Sequence, residues 1–293
     1  MGKVAILTDT NSGISPDKAK EMGIFLLPMS FSVNNDIFYE GIDLSYSDFF
    51  HLLEDKNTIP STTQPSPTEL TTMWNKILQD YESIVHIPMS SGLSASCESA
   101  SALASSDYPD KVYVVDNHRI SVTQYQSVND ALALAEAGYS AAQIKETLER
   151  ESHESSIYIM VNTLKYLKMG GRITPAAAMI GSVLHLKPVL QIQGDKLDSY
   201  AKCRGEKSAR RAMLDAIHHD VEGRFAKYAE KGEIAYHIAW SGADHPEVVQ
   251  SWKEAVCNEF GLSDIEGMPL SMSVCCHIGP GALAVTCSHI VQP

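Results

Sequence analysis

The 293-residue sequence has no run of about twenty apolar residues, the length a helix needs to cross a bilayer. Its longest low-charge stretch, Ile173 to Leu186, is broken by Gly181, Ser182 and His185. Near the amino end the apolar run Val4 to Leu7 is too short for the core of a secretory signal. Ile6 stands where a myristoylation signal requires Ser or Thr, which disqualifies Gly2 as an acceptor. These absences predict a cytosolic protein. The six cysteines, at 97, 203, 257, 275, 276 and 287, form no C-x-x-C pair and read as reduced core thiols. Cys275, Cys276, His277, Cys287 and His289 invite comparison with a zinc site. Read as a strand, however, Cys275 and Cys276 point to opposite faces, so no metal is expected. G-x-G-x-x-G and G-x-x-x-x-G-K-[ST] are also missing, and Gly170-Gly171-Arg172 is too short to replace either. No cofactor is expected, and any nucleotide chemistry belongs to another chain.

Positive charge is scarce. With 23 Lys and Arg against 36 Asp and Glu the chain carries −13, which excludes a general polyanion binder. The distribution is uneven, because ten basic residues fall between Met160 and Asp215 with only four acidic ones. That segment is +6 in an otherwise acidic chain. It is either a solvated face or a docking surface for a partner or a phosphate.

A content of 44% hydrophobic and 20% charged residues is that of a globular chain, and the length suits two domains. Strands and helices alternate from the start. "VAILTD" reads as a buried strand. Ser66-Pro67-Thr68-Glu69 is a capping box opening a helix to about Tyr81, and a strand follows near Ile84 to Ile87. The serine-rich turn "SSGLSAS" then leads into a helix ending near Ser105. "KVYVVD" is another buried strand, followed by a helix closed by Gly138. Ser140 to Gln143 is a second capping box, for a helix to about Glu151. This pattern predicts a largely parallel sheet flanked by helices over residues 1–154. Its ligands would sit at strand carboxyl ends, where Thr8-Asp9, Thr62-Thr63, Ser90 to Ser96 and Asp116-Asn117 fall.

From residue 155 the character changes, and an α+β domain over 155–293 is expected. "SIYIMVN" is a strand, Thr174-Pro175 opens a helix to about Leu184, and "VLQIQGDKLDSY" is a hairpin turning at Gly194-Asp195. A long helix spans about Glu206 to Ala229, "EIAYHIAW" is a strand, and Pro246 to Phe260 is a helix. The segment "PLSMSVCCHIGPGALAVTCSHI" reads as two strands around Gly279-Pro280-Gly281.

The serine turn admits three readings. Its hydroxyls cap a helix, although one helix needs only one N-cap. Alternatively, the turn cradles an anion, with main-chain N–H groups at Leu93 to Ser96 and the Ser94 hydroxyl as donors at the positive end of the helix dipole. Finally, Gly92-Leu93-Ser94-Ala95-Ser96 is one residue short of G-x-S-x-G, and Ser94, Asp244 and His277 follow the chain order of α/β-hydrolases. A fixed Gly-Pro-Gly turn would orient His277 toward the same anion if the second domain closes over the first.

Seven segments in order, "ILTDT", "PSTTQPSPTEL", "SSGLSAS", "VVDN", "TLKYLKMGGRI", "LKPVLQIQGDKL" with "AKCR", and "HIGPGALAV", make the chain resemble the DegV family. These are bacterial fatty-acid-binding proteins that serve as the lipid-carrying subunit of a two-component fatty acid kinase. The resemblance implies a fatty acid held between two domains, its tail in an apolar tunnel. Its carboxylate would be bound by Thr62, Ser94 and the backbone around Ala95, with His277 close by. It implies a non-enzymatic subunit whose separate ATP-binding kinase partner makes an acyl phosphate for phospholipid synthesis. Arg172 would contact that kinase, with Lys168 and Arg204 as further contacts and membrane contact only transient. Met29, Met89, Met160, Met169 and Met179 either line the tunnel or belong to the ordinary core. The family's L-S-G-T is here Leu93-Ser94-Ala95-Ser96, its T-S-Q-P is Thr62-Thr63-Gln64-Pro65, and Asn117 replaces a serine. Ala95 still donates its N–H but lacks glycine's freedom.

Overall fold

Residues 3–55, 58–179, 186–242 and 246–293 are described by a computed structural model. The chain begins with β1 (Val4–Asp9), α1 (Pro16–Met22), β2 (Phe25–Leu27), β3 (Ser30–Val33), β4 (Asp36–Tyr39) and α2 (Tyr46–Glu54). It continues through β5 (Pro60–Thr62), α3 (Pro67–Ile77), β6 (Ser83–Ile87), α4 (Ser96–Asp107) and β7 (Val112–Val114) to α5 (Val122–Glu136) and α6 (Ala141–Arg150). Strands β2-β1-β6-β7 form a parallel sheet in that order. All of β1 but Val4 is buried, the near-continuous apolar run expected of a strand covered on both faces. The capping boxes at Ser66 and Ser140 are both present. The first of these helices ends at Ile77, four residues short of the expected Tyr81.

A small antiparallel sheet, β4-β3-β5, is an addition that the strand and helix pattern did not predict. Asn34 and Asn35 both take positive φ, which two short polar side chains tolerate in a tight hairpin between β3 and β4. Pairing of Phe31 with Thr62 then carries β5 to the edge of the ligand site.

The remaining elements are β8 (Ser155–Met160), α7 (Lys165–Gly170), α8 (Pro175–Ala178), β9 (Leu186–Ile192), β10 (Asp198–Arg204) and α9 (Glu206–Glu222). After them come α10 (Ala226–Ala229), β11 (Ile234–Trp240), α11 (Pro246–Phe260), β12 (Glu266–Pro269), α12 (Met272–Ile278) and β13 (Leu283–His289). The six strands make one mixed sheet, β10-β9-β8-β13-β11-β12, and the hairpin around Gly194-Asp195 is its β9-β10 edge. The resulting fold is α/β, a parallel sheet flanked by helices beside a mixed sheet with helices.

Three expectations are corrected. The helix begun at Thr174-Pro175 ends by Met179, and residues 180–185 lie outside the described residues. The long helix predicted to Ala229 breaks at Gly223, where φ and ψ of −100° end the helical path. Residues 272–278 form a helix and not a strand. Ser271 caps it by accepting the Val274 N–H, and Met272, Cys275 and Cys276 bury themselves at helical spacing. The opposite-faces argument against zinc therefore falls. Among the described residues no three metal-ligating side chains converge.

Side-chain alternation divides the mixed sheet's surroundings in two. Tyr158, Met160, Ile238, Val285 and Cys287 pack on one face beneath α9 and α11, around the fully buried Trp252. The alternate residues Ile157, Ile159, Ile192, Ala239 and Ala284 face the first half of the chain and join its core. Helix α5 lies between the sheets and packs against strands of both. Among the described residues no helix is long and apolar enough to cross a membrane.

Candidate ligand-binding site

Where the two sheets face each other the side chains do not fill the space. A cavity of about 270 Å³ is left. Strand register explains its floor, since Ile159, Ala284 and Ala239 stand side by side on β8, β13 and β11, with Ile192, Ile157 and Thr286 in the next row. Two alanines beside an isoleucine leave a groove in the sheet. Leu167, Leu197, Leu270, Val122 and Ile278 close over it. Met29 and Met89 also line the cavity. Met160 belongs to the other core, and Met169 and Met179 are exposed.

One end of the cavity is polar. Thr62 from β5, Ser94 and Ala95 from the serine turn, and His277 from α12 meet there, together with Thr63, Gln64 and Arg172. The four residues implied by the resemblance are thus brought together from separate elements. Thr62 Oγ1 and His277 Nε2 form a 2.9 Å hydrogen bond. Burial first, and then the neighbouring Arg172 charge, hold the imidazole down at about 4, so His277 is neutral near pH 7. Its Nδ1 has no hydrogen-bond partner among the described residues.

Each serine of the turn has a different task. Ser90 Oγ donates to Gly194 O at 2.8 Å and accepts the Gly92 N–H at 3.1 Å, joining the turn to the β9-β10 hairpin. Gly92 permits that approach, because a Cβ there would lie 2.9 Å from Gly194 O. Ser99 Oγ accepts from Gln64 Nε2 at 2.9 Å. Ser94 Oγ accepts the Ser96 N–H and pairs with Ser96 Oγ at 2.8 Å. The Ala95 N–H meets no acceptor among the described residues and faces the site with α4's amino end behind it. Asp116 and Asn117 do not line the cavity. Asp116 supports the turn from behind by accepting the Ser91 N–H.

Arg172, which the resemblance places near the exposed ligand head as a contact for the kinase, is half-buried at the mouth. Its Nε donates to Leu93 O at 3.2 Å and its Nη1 to Gly170 O at 2.5 Å. The head-group end therefore holds a fixed cation as well as neutral donors, a feature that spacing alone did not reveal. Lys168 and Arg204 are exposed and do not line the cavity. For a hydrolase, Ser94 and His277 would need to bond each other. Here the hydroxyl pairs with Ser96 and the imidazole with Thr62, while Asp244 lies outside the described residues.

Behind the site, α12 rests on acidic groups. Glu40 accepts the Met272 N–H at 2.7 Å and the Thr10 hydroxyl at 3.0 Å. Burial, assisted by the Asp9 charge, raises the Glu40 carboxyl to about 7. Burial raises Asp9 to about 6, against the lowering effect of the Met89 N–H, the Gln124 amide and the Asn11 N–H. A carboxyl raised on folding stabilises the fold fully below its ordinary range near 4.5 and loses that contribution as pH rises through about 7. For Glu40 the swing is on the order of 3 kcal/mol. Glu40→Gln is expected to flatten the fall in melting temperature between about pH 5 and 8. Parallel melting curves for the variant and the wild type over that interval would remove this role.

Fold and site together define a class, an α/β protein enclosing an apolar cavity between its two larger sheets, with a hydroxyl- and imidazole-lined mouth. The family model described as "Uncharacterised protein, DegV family" matches residues 3–289, and the chain belongs to the DegV family. A DegV domain-containing protein of Deinococcus radiodurans is 28% identical over 282 residues, 96% of this chain and 97% of that one. The structure of a DegV family protein from Thermus thermophilus, described by its fatty acid binding, is similar with a TM-score of 0.86. It is 27% identical and covers 98% of this chain and 99% of that one. DegV of Bacillus subtilis, described as a fatty acid binding protein, shares the fold at a TM-score of 0.82 and 24% identity, covering 99% and 100%.

Proposed function

We propose that this chain binds a long-chain fatty acid, with the acyl tail in the cavity and the carboxylate at the polar mouth. The carboxylate is then presented to a separate ATP-dependent kinase that forms the acyl phosphate used in phospholipid synthesis. The carrying observation is the cavity itself, a largely apolar groove between two sheets whose mouth brings Thr62, Ser94, Ala95, Arg172 and His277 together. The fatty-acid-binding relative from Thermus thermophilus supports the same ligand class. Burying an acyl chain yields about 0.8 kcal/mol per methylene, so the tail supplies the affinity. Thr62, Ser94, the Ala95 N–H and Arg172 offset the desolvation of the carboxylate and fix which end faces out. Neutral His277 donates or accepts through Nε2 without adding charge. The chain acts as a carrier, without a nucleophile of its own, and in the cytoplasm.

Mass spectrometry of lipid extracted from the purified protein tests the first half. Thr62→Ala combined with Ser94→Ala is expected to lower the bound fatty acid several-fold while the melting curve stays cooperative. Unchanged lipid in that double variant would sink the carboxylate assignment. In the same experiment, adding the kinase and ATP reads acyl-phosphate formation. Arg172→Ala, with Lys168 and Arg204 as secondary positions, is expected to lower turnover by more than it lowers lipid content. Equal turnover would remove the partner role.

A further inference from the structure

Helix α5 begins in an unusual way, at the wall of the cavity. Its N-cap is Ser121, a residue type whose side chain ordinarily accepts an N–H of the first turn and so stabilises the helix. Ser121 makes no such bond. Its backbone sits at φ 56° and ψ −138°, a strained conformation for a residue other than glycine. The Ser121 N–H is anchored by donating to Asn11 O at 2.9 Å. The hydroxyl is left over. Ser121 is 5% exposed, it lines the cavity, and its Oγ has no partner among the described residues. In the first turn that follows, Val122 also lines the cavity, while Thr123 and Gln124 are fully buried away from it. A fifteen-residue helix thus begins at the cavity wall with one unpaired hydroxyl.

This point is separate from the head-group mouth. Asn11 lines the same stretch of wall, and its Oδ1 accepts from the hydroxyls of Ser271 and Ser273 at 3.1 and 2.5 Å. Ser273 and His277 are four residues apart on α12, about 6 Å along its axis. Asn11 thus ties Ser121 to α12 about one turn before His277, which in the fatty-acid reading assigns this point to the acyl chain and not to the carboxylate. The chemistry of the oxygen it takes follows from its neighbours. Asp9 Oδ1 accepts from Gln124 Nε2 in the first turn of α5, and a second carboxylate there would meet that acid.

We propose that the preferred ligand is an acyl chain bearing a neutral oxygen, a hydroxyl or keto group, and that Ser121 Oγ, at the start of α5, binds that oxygen. The inference rests on the fatty-acid reading and narrows its substrate class. A chain without an oxygen substituent would leave the buried hydroxyl unpaired, whereas an oxygenated one satisfies it.

The test is calorimetric titration of delipidated protein with stearate and with a positional series of monohydroxystearates. Wild type is compared with Ser121→Gly, which takes the positive φ without strain, and with Ser121→Ala. One positional isomer is expected to bind wild type about tenfold more tightly than stearate, and the ratio to fall to about one in both variants. Stearate binding as tight as every isomer overturns the proposal, as does a preference that survives in both variants. If neither stearate nor any isomer binds wild type, the fatty-acid reading itself fails and this inference falls with it.

Discussion

Ala284→Phe is expected to leave a folded protein that copurifies with little or no fatty acid. Ala284 is 1% exposed and lies between Ile159 on β8 and Ala239 on β11, so its methyl group is the floor of the groove that an acyl chain would occupy. A phenyl ring built from that position enters the cavity. Displacing even four methylenes of the ligand costs about 3 kcal/mol, more than 100-fold in Kd, and a chain that cannot lie down the groove loses more. Filling empty space costs the fold little. Overpacking costs about 1–3 kcal/mol where a site is already filled, but here the added ring replaces a void and buries apolar surface. Lipid content by mass spectrometry and a melting curve are measured together, with Ala239→Phe as an independent plug from the adjacent strand. A full complement of lipid in both folded variants would mean that the acyl chain does not run over β11 and β13.

The contrast between Ala284 and Ser90 shows what the sequence made legible. Capping boxes at Ser66 and Ser140, the Gly194-Asp195 hairpin and the buried strands were readable because each is decided within a few residues. The β3-β4-β5 sheet was not, since β5 is three residues long and gains its partner only when Phe31 meets Thr62. A local signal existed in the paired Asn34-Asn35 turn. The helix at 272–278 also left a signal, a serine followed by Met272, Cys275 and Cys276, which β-prone Val and Cys obscured. The serine turn and His277 were readable from the residues as an anion site, one of three readings, and likeness to a family chose that reading and singled out Thr62. Thr62 and His277 are 215 residues apart, and nothing in either neighbourhood announces the other. The groove itself depended on strand register, which places two alanines opposite each other and is set by the whole sheet.

Gly170-Gly171-Arg172 carries the second large effect. Gly171, at φ 71°, closes α7 in the left-handed conformation and turns the chain so that Arg172 points back into the mouth. Gly170 is needed for space alone. A Cβ built on it would lie 2.0 Å from His277 Nδ1 and 2.7 Å from Cε1, so any larger residue must push the imidazole away. Gly170→Ala is therefore expected to break the 2.9 Å Thr62 to His277 bond and let water reach the ring. With burial reduced, His277 should titrate above its present value of about 4, toward the ordinary histidine value of 6.5. The variant then carries a partly protonated imidazole at mildly acid pH and a disordered head-group end. An NMR titration of the His277 ring reads the shift directly, and lipid content should fall at least tenfold as the carboxylate loses its aligned donors. The clash falls on the ring end of one side chain and not on backbone, so the imidazole gives way, and loss of lipid with a cooperative melt is the expected pairing. An unchanged His277 titration in Gly170→Ala would show that the ring is not held by this contact. The glycine pair would then need another explanation.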